Sequence, residues 1–295
     1  MDLTVLIPVY NGENTIERLH ERLRHELSEA GSYEVLFIHD SGRDNSWEII
    51  RSLAEANPGT VKGFRLKRNY GQHNAILFGI TRASGKFIVT LDEDLQHDPA
   101  VINALLEKQR EGDYDVVYAA FNRLRHPGFR ILTSEMLRRY LSNRVPGINP
   151  EYTSFRLMKR EVAIRLSGLS NSYTFIDGSI GLMDLKTTFT MADHYRRADG
   201  KSSYSYYKLF RHAWRIAISY TKLRKRLLWA ALSFLPVSVV VFVIQSSGYP
   251  DGAGLPVFMF TAAAGLLLFL AWLFAERDHR RGLGENLFPV EVEVV

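Results

Sequence analysis

The sequence has no cysteine among its 295 residues. This absence excludes a disulfide framework, a thiolate metal site and a cysteine nucleophile. The opening residues, MDLTVLIPVYNG, have neither a basic region nor a small-residue cleavage site, so they do not resemble a signal peptide. A strong net charge is also lacking, because 37 basic and 32 acidic residues leave only +5. The position of charge along the chain is therefore more informative than its total.

The short motifs of several enzyme classes are missing as well. The sequence contains no G-x-G-x-x-G dinucleotide fingerprint and no G-x-x-x-x-G-K-[ST] phosphate loop. It also contains no G-x-S-x-G hydrolase turn and no H-E-x-x-H zinc spacing. These absences disfavour Rossmann dehydrogenases, P-loop nucleotidases, serine hydrolases and zinc proteases.

The first 120 residues alternate strand-like and helix-like segments. Apolar runs predict strands at 3–9, 33–38, 61–66, 87–91 and 115–119, with helices at 14–30, 46–57, 69–83 and 99–109 between them. Further along, the pattern predicts a helix near 133–143, an extended segment at 152–158, a helix at 159–168 and a strand at 187–195. The alternation predicts an α/β domain over residues 1–200, with a mainly parallel sheet and helices on both faces.

Two long segments near the C-terminus carry no charge, residues 227–245 and 255–275. At about 1.5 Å per residue, each would span roughly 28–32 Å, which matches a bilayer core. The loop between them has no basic residue, whereas the outer flanks carry Lys222, Arg224, Lys225, Arg226, Arg277, Arg280 and Arg281. The positive-inside rule then predicts a two-span protein of the inner or plasma membrane, with both flanks cytoplasmic. The alternative is a helical hairpin buried in a soluble core.

Residues 201–226 form a basic stretch that contains eight Lys or Arg and no acid. Apolar residues recur among them at helical spacing, so we expect an amphipathic helix on an anionic membrane surface. A solvated helix is the alternative, and the adjoining span argues against nucleic-acid binding. The predicted organisation is thus a domain at 1–200, a juxtamembrane segment at 201–226, a two-span hairpin at 227–275 and a cytoplasmic tail at 276–295.

Three loops with acidic or polar residues follow predicted strands, at 8–13, 39–44 and 92–96. Because the carboxyl ends of parallel strands meet at one edge of a sheet, these loops should converge there. Asp92 and Asp94 lie one residue apart, directly after an apolar strand. Two such carboxylates suit a hard divalent cation, Mg²⁺ or Mn²⁺.

Four segments, IPVYNGENTI, IHDSGRDNSWEII, RNYGQHNAILFGI and DEDLQHDP, occur in this order. Together they resemble the family 2 glycosyltransferases of the GT-A fold. The later segment RADGKSSYSYYKL is similar to the R-x-x-G-x-S-x-Y segment of the polyprenyl-phosphate branch, which includes bactoprenol glucosyltransferases and dolichol-phosphate mannosyltransferases. Two C-terminal spans also suit that branch.

The resemblance implies roles for matching positions. Nucleoside binding falls to Pro8, Tyr10, Glu13 and Asp40. Asp92 would contact donor and metal, and Asp94 would ligate the metal. Arg197 and Ser202 would lie near phosphate groups of the donor or the lipid. We further expect Arg156, Arg197 and Lys201 to neutralise the acceptor phosphate, with Ser202 beside it. The expected catalytic residues are Asp92, Asp94, Arg156 and Arg197. For some residues the alternative is a purely structural role. The Tyr10 ring could simply pack against its neighbours, and Asp44 could be no more than a cap for the helix that follows.

Two positions depart from the resembled pattern. His39 stands where the family usually has the first of two Asp residues, so we expect Asp40 to keep the nucleoside role and His39 to alter base preference. Ser154 stands where many lipid-phosphate members have the acid assigned to acceptor activation. A sugar hydroxyl needs a general base, whereas a phosphate monoester is already ionised near neutral pH. The loss is therefore better tolerated with a lipid-phosphate acceptor.

The expected function is inverting transfer of a sugar from a nucleoside diphosphate sugar, UDP-linked by expectation, to a polyprenyl phosphate. A saccharide acceptor is the first alternative, and a non-enzymatic membrane scaffold with a decayed site is the second. The absence of Q-x-x-R-W and the presence of only two spans argue against a processive synthase. The sequence leaves open which sugar is transferred and whether the protein forms a homo-oligomer.

Overall fold

The computed structural model describes residues 1–28, 31–121, 138–145, 147–168, 175–192, 214–246, 254–283 and 292–295. The chain divides into two compact units. The first comprises Met1–Tyr204 together with Asn286–Val295, and the second comprises Ser205–Glu285. The C-terminal residues thus belong with the first unit, whereas the sequence analysis assigned 276–295 to a separate tail.

An eight-stranded sheet forms the centre of the first unit. Its strands are β1 Leu3–Val9, β2 Tyr33–His39, β3 Val61–Leu66, β4 Phe87–Thr90, β5 Val116–Phe121, β6 Arg156–Lys159, β7 Thr187–Ala192 and β8 Val292–Val294. Their order across the sheet is β7-β5-β6-β4-β1-β2-β3-β8. β6 runs antiparallel to β4 and β5, and β8 runs antiparallel to β3. The remaining pairs are parallel, so the predicted mainly parallel sheet is confirmed.

Helices cover both faces of the sheet, as predicted. They are α1 Ile16–Glu26, α2 Ser46–Ala56, α3 Gln72–Ile80, α4 Val101–Gly112, α5 Arg160–Ser167 and α6 Ile176–Gly181. Val5 and Ile7 of β1 pack with α1, α2 and α4 on one face, while Leu6 packs with α3 on the other. β1 is apolar on both faces because both are buried, which is typical of a central parallel strand.

Pro8 lies inside β1, where a proline would normally interrupt the hydrogen-bond ladder. Its position is tolerated because the ladder between β1 and β4 ends at the pair Leu6 and Thr90. The backbone groups of residues 6 and 8 both point toward β4. Because β4 has already ended at Thr90, the N–H group that proline lacks at position 8 would have no partner in that strand. The proline therefore marks where β1 and β4 separate to open the edge of the sheet.

Several predicted boundaries differ from the structure. The extended segment predicted at 152–158 becomes a strand only at Arg156–Lys159, and the strand predicted at 187–195 ends at Ala192. The helix predicted near 133–143 is helical over its described part, residues 138–142. The structure adds α6 and β8, which the sequence analysis did not predict.

The second unit contains a pair of long helices, α7 Leu223–Ser246 and α8 Gly254–Leu283, preceded by helical residues 214–220. Ser238 and Thr261 share a hydrogen bond of 3.2 Å between the helices. Two stretches, Leu223–Val243 and Met259–Arg277, are long and apolar enough to cross a membrane. Their large apolar side chains face outward, with Trp229 70% and Phe260 73% exposed. Such exposure is opposite to what a buried soluble hairpin predicts.

Candidate active site

Three loops follow β1, β2 and β4 at one edge of the sheet, and each contains a residue in the left-handed region. These are Asn11 with φ 59°, Ser41 with φ 53° and Leu95 with φ 60°. Among the described residues, only one other non-glycine residue, Asp113, has a positive φ. Such conformations are costly and cluster at functional sites. Here they turn the chain sharply at each strand end.

The loops after β1 and β2 are joined by hydrogen bonds. The amide of Arg43 donates to Asn11 Oδ1 at 2.8 Å, and the amide of Asn45 donates to Glu13 Oε2 at 3.0 Å. The amide of Glu13 in turn donates to Asp44 Oδ2 at 2.9 Å. Asp44 also accepts from the amide of Ser46 at 3.2 Å, but the N-cap position of α2 is Asn45 and carries no side-chain capping bond, so Asp44 holds the start of α2 without being its N-cap. Glu13 thus connects the loops after β1 and β2 through hydrogen bonds. Its contact with the nucleoside stays a prediction.

Asp40 is buried immediately after β2. Its two oxygens accept hydrogen bonds from the backbone amides of Tyr70 at 2.7 Å and Gly71 at 2.8 Å. Gly71 has φ +85°, a conformation that other residues rarely adopt. Burial raises the pKa of Asp40 to about 6, although the two amides oppose the shift. Asp40 therefore fixes the segment that leads into α3. Its role in nucleoside binding stays a prediction.

Asp92 lies just beyond β4, and both of its carboxylate oxygens have partners. Gln72 Nε2 donates to Oδ1 at 2.5 Å, and Ser154 Oγ donates to Oδ2 at 2.6 Å. The segment 70–72 thus contacts Asp40 through its backbone and Asp92 through a side chain. The RNYGQHN motif therefore connects two carboxylates that the sequence analysis assigned to donor binding.

Glu93 was not among the predicted site residues. Its Oε1 accepts from the amide of Tyr10 at 3.4 Å. Burial, reinforced by the charge of Asp92, raises the pKa of Glu93 to about 8. Tyr10 is 44% exposed at the edge of the sheet, so it is not packed in the interior.

Asp94 is the second acid of the predicted metal pair, and its Oδ1 accepts from the amide of Gln96 at 3.1 Å. No group of three or more His, Cys, Asp or Glu side chains that could hold a metal ion occurs in the parts of the chain that the structure describes. Asp92 and Asp94 are two carboxylates one residue apart, a set that would fit a cation whose other ligands come from a donor diphosphate and water, and their metal role stays a prediction. Mg²⁺ and Mn²⁺ bind in this manner.

Arg156 is fully buried and forms an ion pair with the buried Asp177. Its Nε also donates to Thr90 Oγ1 at 3.3 Å. Burial raises the pKa of Asp177, and the nearby guanidinium opposes the shift. A guanidinium in this position supports the sheet beneath the site. Direct contact with an acceptor phosphate stays a prediction that this geometry does not favour.

His39 ends β2 on the face opposite Asp40, where its ring centroid lies 5.9 Å from that of Trp47 in α2. Burial lowers the pKa of His39, so the ring is neutral at pH 7. Its influence on base preference stays a prediction.

The predicted acceptor residues Arg197, Lys201 and Ser202 lie outside the described residues. The structure instead brings Gln72, Glu93 and Asp177 into or beneath the site, which sequence reasoning missed. For Gln72 the signal was the RNYGQHN motif itself. For Asp177 no local signal existed, because it meets Arg156 only through the tertiary fold.

Comparison with known proteins identifies the class. The model of glycosyl transferase family 2 matches residues 4–166, more than half of the chain. The chain belongs to glycosyl transferase family 2 and is an enzyme that transfers a sugar from a nucleotide-sugar donor. An uncharacterized glycosyltransferase of Synechocystis sp. is 29% identical over 250 residues, which cover 83% of this chain and 78% of that protein.

Solved structures share the fold at low sequence identity. Staphylococcus aureus TarS in complex with UDP-GlcNAc has a TM-score of 0.51 at 15% identity, over 74% of this chain and 66% of that chain. A Pyrobaculum calidifontis mannosyltransferase with GDP-Man and Mn²⁺ has a TM-score of 0.50 at 16% identity, over 95% and 73%. This chain spans about half to two thirds of the TarS structures that it matches, 48% and 66%. These likenesses agree with the expected GT-A fold.

Proposed function

We propose that the enzyme transfers a sugar from a UDP-linked donor to a polyprenyl phosphate at the membrane, with inversion at the anomeric carbon. The observation that carries the acceptor assignment is the contact between Ser154 and Asp92, at 2.6 Å. At this position many resembling enzymes have an acid, whereas here a neutral hydroxyl donates a hydrogen bond to Asp92.

A saccharide acceptor and a phosphate acceptor differ in whether a proton must be removed during attack. A saccharide hydroxyl must lose its proton during attack and needs a base with suitable pKa. Ser154 cannot serve, because it is a hydrogen-bond donor to Asp92. Glu93 has its pKa raised to about 8 and holds its proton at pH 7. A phosphate monoester, with a second pKa of about 6, needs no base.

The proposed reaction uses this chain's residues for binding and orientation. An oxygen of the acceptor phosphate attacks the anomeric carbon, the bond from that carbon to the donor diphosphate breaks, and a nucleoside diphosphate leaves. Asp92 and Asp94 would hold Mg²⁺ or Mn²⁺, which neutralises charge on the departing diphosphate. Tyr10 and Asp40 would face the nucleoside. Arg197, Lys201 and Ser202 are proposed to bind the acceptor phosphate.

The proposed membrane arrangement rests on the two apolar helices and on β8. β8 pairs with β3, so residues 292–294 and the catalytic sheet must lie on the same side of a membrane. An even number of crossings between them meets this condition, and α7 and α8 supply two. The basic flanks favour the cytoplasmic side for both ends.

The saccharide acceptor is the second candidate, and one comparison separates the two. Purified enzyme receives a labelled nucleotide sugar with short-chain polyprenyl phosphate, the corresponding polyprenol, or a panel of free saccharides. We expect label in the phosphate lipid alone. Transfer to a saccharide without transfer to the phosphate would overturn the lipid-carrier proposal and leave the glycosyltransferase assignment intact.

A further inference from the structure

We infer that Gln72 and Ser154 are positioning residues that hold the Asp92 carboxylate in one orientation for the donor and its cation. The inference deepens the proposed function and rests on it. The two residues come from distant parts of the chain: Gln72 begins α3, and Ser154 precedes β6. Each donates to a different oxygen of Asp92, at 2.5 and 2.6 Å. We call this arrangement the Asp92 clamp.

The clamp restricts rotation of the carboxylate. A carboxylate has about four lone-pair sites, so two hydrogen bonds leave roughly two sites for ligands. An unrestrained carboxylate would lose rotational freedom each time a donor and cation bind. With both oxygens engaged beforehand, that ordering is complete in the folded protein, which improves binding of a ligand that needs one geometry.

Ser154 is itself held from beneath. Its carbonyl oxygen accepts a hydrogen bond from Thr90 Oγ1 at 2.5 Å. Thr90 Oγ1 in turn accepts from Arg156 Nε, and Arg156 is paired with Asp177. This gives the buried ion pair a function that the sequence analysis did not foresee: it fixes the backbone that presents the Ser154 hydroxyl.

Gln72 is held from the other side. The amides of Tyr70 and Gly71, directly before it, are bound to Asp40. The start of α3 is thereby fixed to the end of β2, and the Gln72 side chain extends to Asp92. The two halves of the clamp are therefore supported by independent parts of the sheet.

The chemistry of the donors also matters. The Gln72 amide and the Ser154 hydroxyl each donate a hydrogen bond to Asp92, whereas a carboxylate at either position has no hydrogen to donate and would repel it. Where many resembling enzymes have a negatively charged acid, Ser154 has a neutral hydroxyl that donates to Asp92. The substitution therefore removes a charge that would repel Asp92 and adds a hydrogen bond to it. The clamp accordingly predicts that the hydrogen-bond donors, and not the side-chain volume, are what the site requires.

The test measures binding of Mn²⁺ to the enzyme with UDP by electron paramagnetic resonance, together with transfer kinetics. Ser154→Ala and Gln72→Ala should each weaken Mn²⁺ binding about tenfold, the scale of a lost hydrogen bond to a charged group. Gln72→Glu, of similar length, should weaken it further. Ser154→Thr keeps the hydroxyl and should stay within about twofold of the original protein. The acceptor KM should not change in any of these variants.

Ser52→Ala is the matched control, because Ser52 lies on the exposed side of α2, where its Oγ donates to the carbonyl of Glu48. This variant should bind Mn²⁺ with UDP as the original protein does. If Ser154→Ala and Gln72→Ala bind Mn²⁺ normally, the clamp is wrong while the proposed function stands. If the unaltered protein binds no Mn²⁺ with UDP, both fail. Equal losses in Ser154→Thr and Ser154→Ala would also reject the clamp.

Discussion

The three acidic residues that flank the donor side differ in environment. Asp40 is buried under two amides, Asp92 accepts two side-chain hydrogen bonds, and Glu93 has its pKa raised to about 8. The same functional group is therefore a loop anchor at Asp40, an acceptor of two side-chain hydrogen bonds at Asp92 and a neutral acid at Glu93. Environment, more than residue type, assigns these roles.

Replacing Asp94 tests the metal pair. Asp94→Asn should lower turnover by roughly 10²-fold or more, because an electrostatic stabiliser of the leaving diphosphate is lost. Excess Mn²⁺ should not restore the rate fully. Asp113→Asn is the control, since Asp113 is an exposed residue with φ 49° at the end of α4, a conformation that Asn adopts readily. Steady-state transfer rates check both variants, and full activity of Asp94→Asn in excess chelator would reject the metal role.

The pKa of Asp40 predicts a pH effect on donor binding. Because it is raised to about 6, the carboxyl gains its proton as the pH falls through that value and weakens its hold on Tyr70 and Gly71. Affinity for UDP-glucose, whose diphosphate does not titrate in this range, should fall about tenfold from about pH 7.5 to about pH 5. Asp40→Asn should show weak binding with little pH dependence. Calorimetry measures both, and a flat profile for the unaltered protein would contradict the assignment.

At this scale the sequence revealed residues with a local signature and missed those that depend on tertiary contact. Asp92 and Asp94 could be found because they directly follow a strand in an α/β pattern. Gln72 could not be assigned a partner, because Asp92 lies twenty residues further along the chain. Arg156 was assigned to a ligand because sequence alone does not reveal that Asp177 neutralises it.

Among the structural elements, those with a long apolar period were predictable. β1 to β5 and the helices between them follow from the alternation of apolar runs and helical spacing, with boundaries shifted by a few residues. β8 has three residues, and α6 contains two glycines, so neither has a period long enough to detect. The antiparallel direction of β6 could not be predicted from the sequence either, since it depends on which strands β6 pairs with in the folded chain.

Pairing of β8 predicts that Gly63 is intolerant of substitution. A Cβ at Gly63 would lie 2.4 Å from Ile50 Cγ2 and 2.8 Å from Val295 Cγ2. Gly63→Ala should therefore destabilise the fold by about 1–3 kcal/mol and loosen β8. Gly168→Ala is the matched control, because its nearest neighbour is the carbonyl oxygen of Arg165 at 3.6 Å. Denaturant unfolding in detergent compares the two, and equal stability of both variants would contradict the packing.

For the whole molecule, the account predicts that both ends of the chain share one side of the membrane. A reporter fused after Val295 should be cytoplasmic, and a reporter inserted within residues 246–254 should be accessible only from outside. The physical reasons are the β8 pairing and the basic flanks. A cytoplasmic signal from the inserted reporter, or recovery of the protein in the soluble fraction after carbonate washing, would contradict the two-span arrangement.

At this largest scale the sequence predicted the α/β domain and the two candidate spans, because both depend on composition over long windows. It did not predict that the C-terminus returns to the sheet, because a strand of three residues carries too little pattern. Arg197, Lys201 and Ser202, which are proposed to bind the acceptor phosphate, lie outside the described residues, so the acceptor proposal rests on Ser154 and on chemistry.

The central claim is donor- and metal-dependent transfer of one sugar to a lipid phosphate. The most direct measurement incubates the purified full chain with Mg²⁺ or Mn²⁺, a panel of nucleotide sugars and short-chain polyprenyl phosphate, and analyses the lipid by mass spectrometry. The account predicts a new lipid heavier by one sugar unit, formed with one donor class and absent when metal is chelated. An unchanged lipid with every donor, or a product that forms equally in excess chelator, would contradict it.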